Sequence, residues 1–147
     1  MVRVEFHPEF TSQYVPMCAD SEHMELAGEI TQLLDALERH GHDIEGEAPD
    51  DPSHPIVASR LATFALRRTP PTNFTPHART PPVIRIPYVW FVDITTNDEL
   101  AVIMLMGDKA ELKNHWYPAK VKHIEDVLVP GWERNHPTHR AVVRRTR

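Results

Sequence analysis

An α+β domain, with helices covering one small antiparallel sheet, is the fold class this 147-residue sequence predicts. Three observations point to it. A short alternating run opens the chain, an amphipathic segment follows, and the second half holds two apolar runs joined by a polar turn. Strand, helices, clustered strands and a closing helix is the order of an α+β layer, not of repeating βαβ units.

Val2, Val4 and Phe6 alternate with polar neighbours, the period of a half-buried strand. A short helix is expected from Pro8 to Met17. From Asp20 to about Glu38 the residues Met24, Ala27, Ile30, Leu33, Leu34 and Leu37 recur every three or four positions, with Ser21 as a cap and Gly41 as a stop. Residues 41–55 carry five acids, two glycines and three prolines around one large apolar residue, so they read as a loop. Three strands are then expected, in 56–68, 82–94 and 100–107. The first ends at Arg67 or Arg68, and "TTNDE" turns the other two into an antiparallel hairpin. A proline-rich loop separates Thr69 from Pro82. Ala110 to Val129 has helical spacing, with Pro118 tolerated near its start. The organisation expected is a single domain over 1–131 and a weakly ordered basic tail over 132–147.

Composition limits the function classes. An apolar fraction of 41% and a charged fraction of 25% suit one globular core, while fourteen prolines against five glycines predict stiff loops. No apolar run approaches the ~20 residues that span a bilayer, and "MVRVEFHPEF" lacks the apolar centre of a signal peptide. A cytoplasmic protein is expected. The lone Cys18 has no partner for a disulfide and is expected to be a buried small hydrophobe. The net charge of −5 hides a division: residues 1–58 carry two basic and thirteen acidic side chains, residues 59–147 fourteen basic and eight acidic. Such asymmetry offers one face to a polyanion and another that repels it, or else draws the two halves together.

The chain leaves its most hydrophobic run through "GDKAELKNHWYP", which holds Lys109, Lys113, His115, Trp116 and Tyr117. Arg85 lies inside an apolar strand, where a charge is costly unless the face is open or a partner is present. The histidine pairs in "HGHD" and "HPTH", and His115 with His123, lack the spacing of a zinc motif, so no metal or cofactor is expected. No "GxSxG" elbow or glycine-rich phosphate loop marks a nucleophilic hydrolase or nucleotide binder.

"VEFHPEF", "ITQLLDALERHG", "RIPY" and "MLMGDKAELKNHWYP" together resemble the RelE/ParE superfamily, including the HigB-like toxins of bacterial toxin–antitoxin pairs, over about Val2 to Val129. The resemblance implies a RelE-like sheet whose open face is basic. It implies a toxin acting as an mRNA interferase, a metal-independent endoribonuclease (a hydrolase) working on messenger RNA in the ribosome and neutralised by a cognate antitoxin. Residue by residue, "RIPY" places Arg85 where such enzymes hold a phosphate-binding arginine. Lys109 and Lys113 follow as charge partners, Tyr117 as a functional tyrosine, and Arg67 or Arg68 as the basic end of the preceding strand. Trp116 is then a stacking platform for a base and His115 an alternative acid or base. The long loops, the acidic N-terminal half and the C-terminal extension depart from the family pattern. Two alternatives stand beside this reading: a non-catalytic, phage- or prophage-encoded binding factor on the same scaffold, and a ParE-like gyrase inhibitor. Oligomeric state is not set by the sequence.

Overall fold

The computed structural model describes residues 1–68, 84–108 and 116–144. It is an α+β fold. In chain order the elements are β1 (Arg3–Phe6), α1 (Pro8–Cys18), α2 (Met24–His40), β2 (Ser53–Pro55), β3 (Thr63–Arg68), β4 (Ile84–Asp93), β5 (Asp98–Ile103), β6 (Gly107–Asp108), α3 (Trp116–His123), α4 (Val129–Asn135) and β7 (His139–Ala141).

Local chemistry sets the helix ends. His7 accepts a hydrogen bond from the Glu9 N–H at 3.0 Å and Pro8 takes the first helical position, where a missing N–H costs nothing. Asp20, not Ser21, caps the 3₁₀ turn that leads into α2, by accepting from the Glu22 N–H. Gly41 stops α2 with φ +54°, and a Cβ there would meet Val2 Cγ2 at 2.6 Å, so both conformation and space require glycine. Cys18 is exposed at the end of α1, contrary to the burial expected of it, because the core-facing side of that helix is occupied by Phe10.

Among the described residues seven strands form one sheet, with main order β1-β5-β4-β3-β2. The sheet is mixed, not purely antiparallel, because β1 runs parallel to β5 with Arg3 opposite Leu100 and Phe6 opposite Ile103. Hydrophobic alternation specifies which face a residue takes and leaves strand direction open. The expected hairpin is present: β4 and β5 pair from Tyr88–Ile103 to Asp93–Asp98, with Asn97 at φ 62° in the turn. The hydrophobic run after β5 does not continue as one strand. Three residues, Met104 to Met106, oppose two on β4 before β6 resumes pairing at Arg85–Gly107, a one-residue bulge. Gln13 of α1 holds it, donating to the Met106 carbonyl at 2.9 Å and accepting from its N–H at 3.0 Å.

The sheet is buried on both faces, which is why β4 reads as an almost unbroken apolar run. On one side Ile86, Tyr88 and Trp90 meet Leu26, Ile30, Leu33 and Leu37 of α2. On the other, Val89 and Phe91 meet Trp116, Ile124, Leu128 and Trp132. Each such side chain contributes ~1.5–3 kcal/mol by leaving water, and that burial fixes helix to sheet.

The C-terminal region departs most from expectation. The helix beginning at Trp116 passes through a π-helical turn at Ile124–Leu128 and continues in α4 to Asn135. In that turn Glu125 accepts from the Arg60 Nε at 3.0 Å and the Ser59 hydroxyl at 3.2 Å, tying the turn to the chain just before β3. The expected loose tail adds β7 beside Phe91–Asp93, and Val143 bridges to Leu61. Beyond β3 the edge of β4 has free hydrogen-bonding groups, and "HRAVV" supplies a strand to pair with them. Among the described residues, no helix is long and apolar enough to cross a membrane.

Candidate functional site: an arginine pair beside a tyrosine and a histidine

Arg67 on β3 and Arg85 on β4 are directly opposite in the antiparallel register. Opposed residues share a face, so the register sets two guanidinium side chains side by side, an arrangement that repels unless an anion or a polar partner intervenes. Among the described residues no carboxylate lies within ion-pair distance of either one. Arg67 donates instead to the carbonyls of Asp51 and Ala48, each at 3.2 Å, and Arg85 to its neighbour Ile84 at 2.9 Å. Both keep further N–H donors for a ligand.

The pair separates two depressions and lines both. One, of about 430 Å³, is completed by His54 of β2, by Tyr117 and Pro118 at the start of α3, and by Ile56 at its base. The other, of about 490 Å³, lies towards α2 and carries Asp50 and Asp51 on its wall. Asp51 accepts from the Ala48 N–H at 2.8 Å and so shapes the loop that cups Arg67. Asp50 and Asp51 make that depression the more repulsive of the two to negative charge.

Tyr117 is half-buried, and burial raises its phenol above the ordinary value against the pull of Arg85 and Arg67 beside it. At neutral pH it is a neutral hydrogen-bond donor. His54 faces Ala48, its Nε2 2.8 Å from the carbonyl oxygen. A carbonyl only accepts, so Nε2 carries the proton and Nδ1 of the neutral ring keeps its lone pair. The same carbonyl receives Arg67, so one loop atom positions two groups of the cavity.

Of the residues singled out from sequence, Arg67, Arg85 and Tyr117 meet in one cavity. Arg68 ends β3 opposite Ile84. Lys109, Lys113 and His115 lie outside the described residues. Trp116 is corrected: it is only 2% exposed, packed in the core under β6, where a Cβ on Gly107 would come within 3.0 Å of its ring. A ring so enclosed has no face left for a nucleobase. Sequence reasoning missed His54, which sits in the acidic stretch taken for a loop; "SHP" has no periodicity to betray a three-residue strand.

On the opposite face of the sheet, Glu45 is buried with a side chain 6% exposed. Its carboxylate accepts from the Tyr88 hydroxyl at 2.6 Å and the Trp90 indole at 2.7 Å, and His42 bridges it to Glu99. "RIPY" is thereby split: three residues apart on a strand, Arg85 and Tyr88 face opposite ways, one to the cavity and one to the core.

Compared with protein-family models, curated proteins and solved structures, the chain matches none.

Proposed function

We propose that this chain is a RelE-like, toxin-type endoribonuclease that cleaves messenger RNA without a metal, on the ribosome, and is held in check by a partner protein that covers the cavity. The observation that carries the reading is the cross-strand pair Arg67–Arg85, without a carboxylate partner among the described residues and with Tyr117 beside it. Two supports come from the fold. A β1–α1–α2 unit precedes the antiparallel hairpin and a helix follows it, in the order expected of a RelE-like domain. The arginine pair also lines a cavity with His54, Tyr117 and Pro118, so the sheet and the start of the closing helix enclose one basic pocket.

Cleavage of an RNA phosphodiester requires charge stabilisation of a phosphorane, a proton acceptor for the 2′-hydroxyl and a donor for the departing 5′-oxygen. Two guanidiniums suit the first, because their planar forks bind phosphate oxygens and they are already aligned before substrate arrives. Tyr117, kept protonated by burial, suits the donor or an orienting role. Lys109 and Lys113 complete the cationic set in this proposal. A partner peptide that fills the cavity with carboxylates would mimic the phosphates and close the site.

The test is cleavage of a defined mRNA on programmed ribosomes by the purified chain in excess EDTA. The proposal expects cleavage that persists in EDTA and falls at least ~10²-fold in Arg85→Ala, the scale of losing one preorganised charge-stabilising donor. Binding without cleavage would favour the non-catalytic reading.

A further inference from the structure

We infer that His54 is the proton acceptor of this site, taking the 2′-hydroxyl proton at Nδ1 while Tyr117 returns a proton to the leaving 5′-oxygen. The inference rests on the RNA-cleavage reading and assigns the one role that the arginines and Tyr117 leave unfilled. Arg67 and Arg85 have no lone pair to offer, and Tyr117 is a phenol. Among the described residues lining the cavity, His54 is the one whose side chain has a nitrogen lone pair to offer.

Its tautomer is set by geometry. The Ala48 carbonyl, 2.8 Å from Nε2, holds the N–H at that nitrogen and orients the ring, as the backbone carbonyl does in histidine sites where the second nitrogen works. His54 stands opposite Ala65, and Ala65 is two residues from Arg67 on the same face. The imidazole and the two guanidiniums therefore project from one side of the sheet, with Ala65 as the small residue that leaves room between them. The charged and titratable groups around His54 are Arg67 of β3, Arg85 of β4, Tyr117 of α3 and Asp51 of the preceding loop.

The step balances without a further reactant. The 2′-oxygen forms a bond to phosphorus as the P–O5′ bond breaks and its electron pair leaves with the 5′-oxygen. Nδ1 takes the 2′ proton and the phenol supplies one to the 5′-oxygen. The products are a 2′,3′-cyclic phosphate and a 5′-hydroxyl, and water passes the proton from imidazolium to phenolate afterwards. The site therefore requires a 2′-hydroxyl and acts on RNA, not DNA.

The experiment measures single-turnover cleavage of ribosome-bound mRNA between pH 5.5 and 8.5 for the native chain, His54→Gln, His54→Ala and His115→Gln, with melting curves as a folding control. Glutamine keeps a donor for the Ala48 carbonyl. The inference expects a native rate that falls on acidification, a ~10²–10⁴-fold slower His54→Gln with that acid limb gone, partial rescue of His54→Ala by added imidazole, and an unchanged limb in His115→Gln. A merely structural role would slow the reaction evenly at every pH. An acid limb retained in His54→Gln, or lost in His115→Gln, overturns the assignment while leaving the cleavage reading intact. A native chain that cuts no RNA overturns both, and equal cleavage of a substrate with a single 2′-deoxy position at the scissile bond overturns the proton step.

Discussion

Removing the Glu45 carboxylate is the sharpest probe of what holds this fold together. The group is 6% exposed and accepts from Tyr88 at 2.6 Å and Trp90 at 2.7 Å through one oxygen, and from His42 at 2.5 Å through the other. In Glu45→Ala the Trp90 indole N–H loses its acceptor in a core where that ring is 1% exposed, a cost of ~1–3 kcal/mol for a buried unsatisfied donor. Tyr88 loses a bond to a charged acceptor, ~1.5–3 kcal/mol, softened because its hydroxyl still meets Ser53 at 2.7 Å. The half-exposed His42 adds little, since solvent screens it. Together these give roughly 3–5 kcal/mol, a large part of a typical 5–15 kcal/mol stability, and a melting point lower by about 10–20 °C for a chain of this size. Urea denaturation of Glu45→Ala, Trp90→Phe and the double variant supplies the assay. Because phenylalanine brings no donor, the double variant should lose less than the sum of the singles, by about 1–3 kcal/mol. A Glu45→Ala loss under ~1 kcal/mol, or strict additivity with Trp90→Phe, would refute the claim that this carboxylate serves the core as an acceptor.

Three other outcomes follow from the same structure. Trp116→Ala should destabilise the fold by ~3–5 kcal/mol in denaturant melts; a stable variant with weakened RNA binding would restore the stacking role that its burial excludes. Arg67→Ala and Arg85→Ala should each lower the slope of log affinity against log salt by about 0.7 for a 2′-O-methyl RNA, read by fluorescence anisotropy, and an unchanged slope would mean that neither touches a phosphate. For His42, burial opposes charging, but hydrogen bonds and attraction from Glu45 and Glu99 outweigh it, so the folded imidazole is more basic than the unfolded one. Its contribution is then fully present below the unfolded value and fades as pH rises through the folded one. The stability gap between the native chain and His42→Gln should be wider at pH 6 than at pH 9; the reverse order would contradict the bridging geometry.

Much of the architecture was legible because burial writes a period into the sequence. Ala27, Ile30, Leu33, Leu34 and Leu37 marked α2, and the two apolar runs around "TTNDE" marked the β4–β5 hairpin. What stayed hidden has other causes. The parallel pairing of β1 depends on which sheet edge is vacant, a property of the assembled fold. The bulge at Met104–Met106 and the π turn at Ile124–Leu128 change pairing by a single residue, and hydrophobicity does not register such a step. β7 was masked by the arginines around Ala141, although the unpaired stretch of β4 needed a partner. The site was legible where a charge broke an apolar pattern, as at Arg85, and where basic residues ended a strand, as at Arg67. It was not legible at His54, whose place is set by the register with Ala65, nor at Trp116, where aromatic character alone does not separate a core ring from a binding one.

Growth of bacteria after induced expression, compared between the native chain and Arg85→Ala at matched soluble levels, tests the paired-guanidinium site most directly. The account predicts arrest by the native chain, with new 5′-hydroxyl ends in cellular mRNA, and normal growth with Arg85→Ala. Undisturbed growth under the native chain, or equal arrest by both, would contradict it.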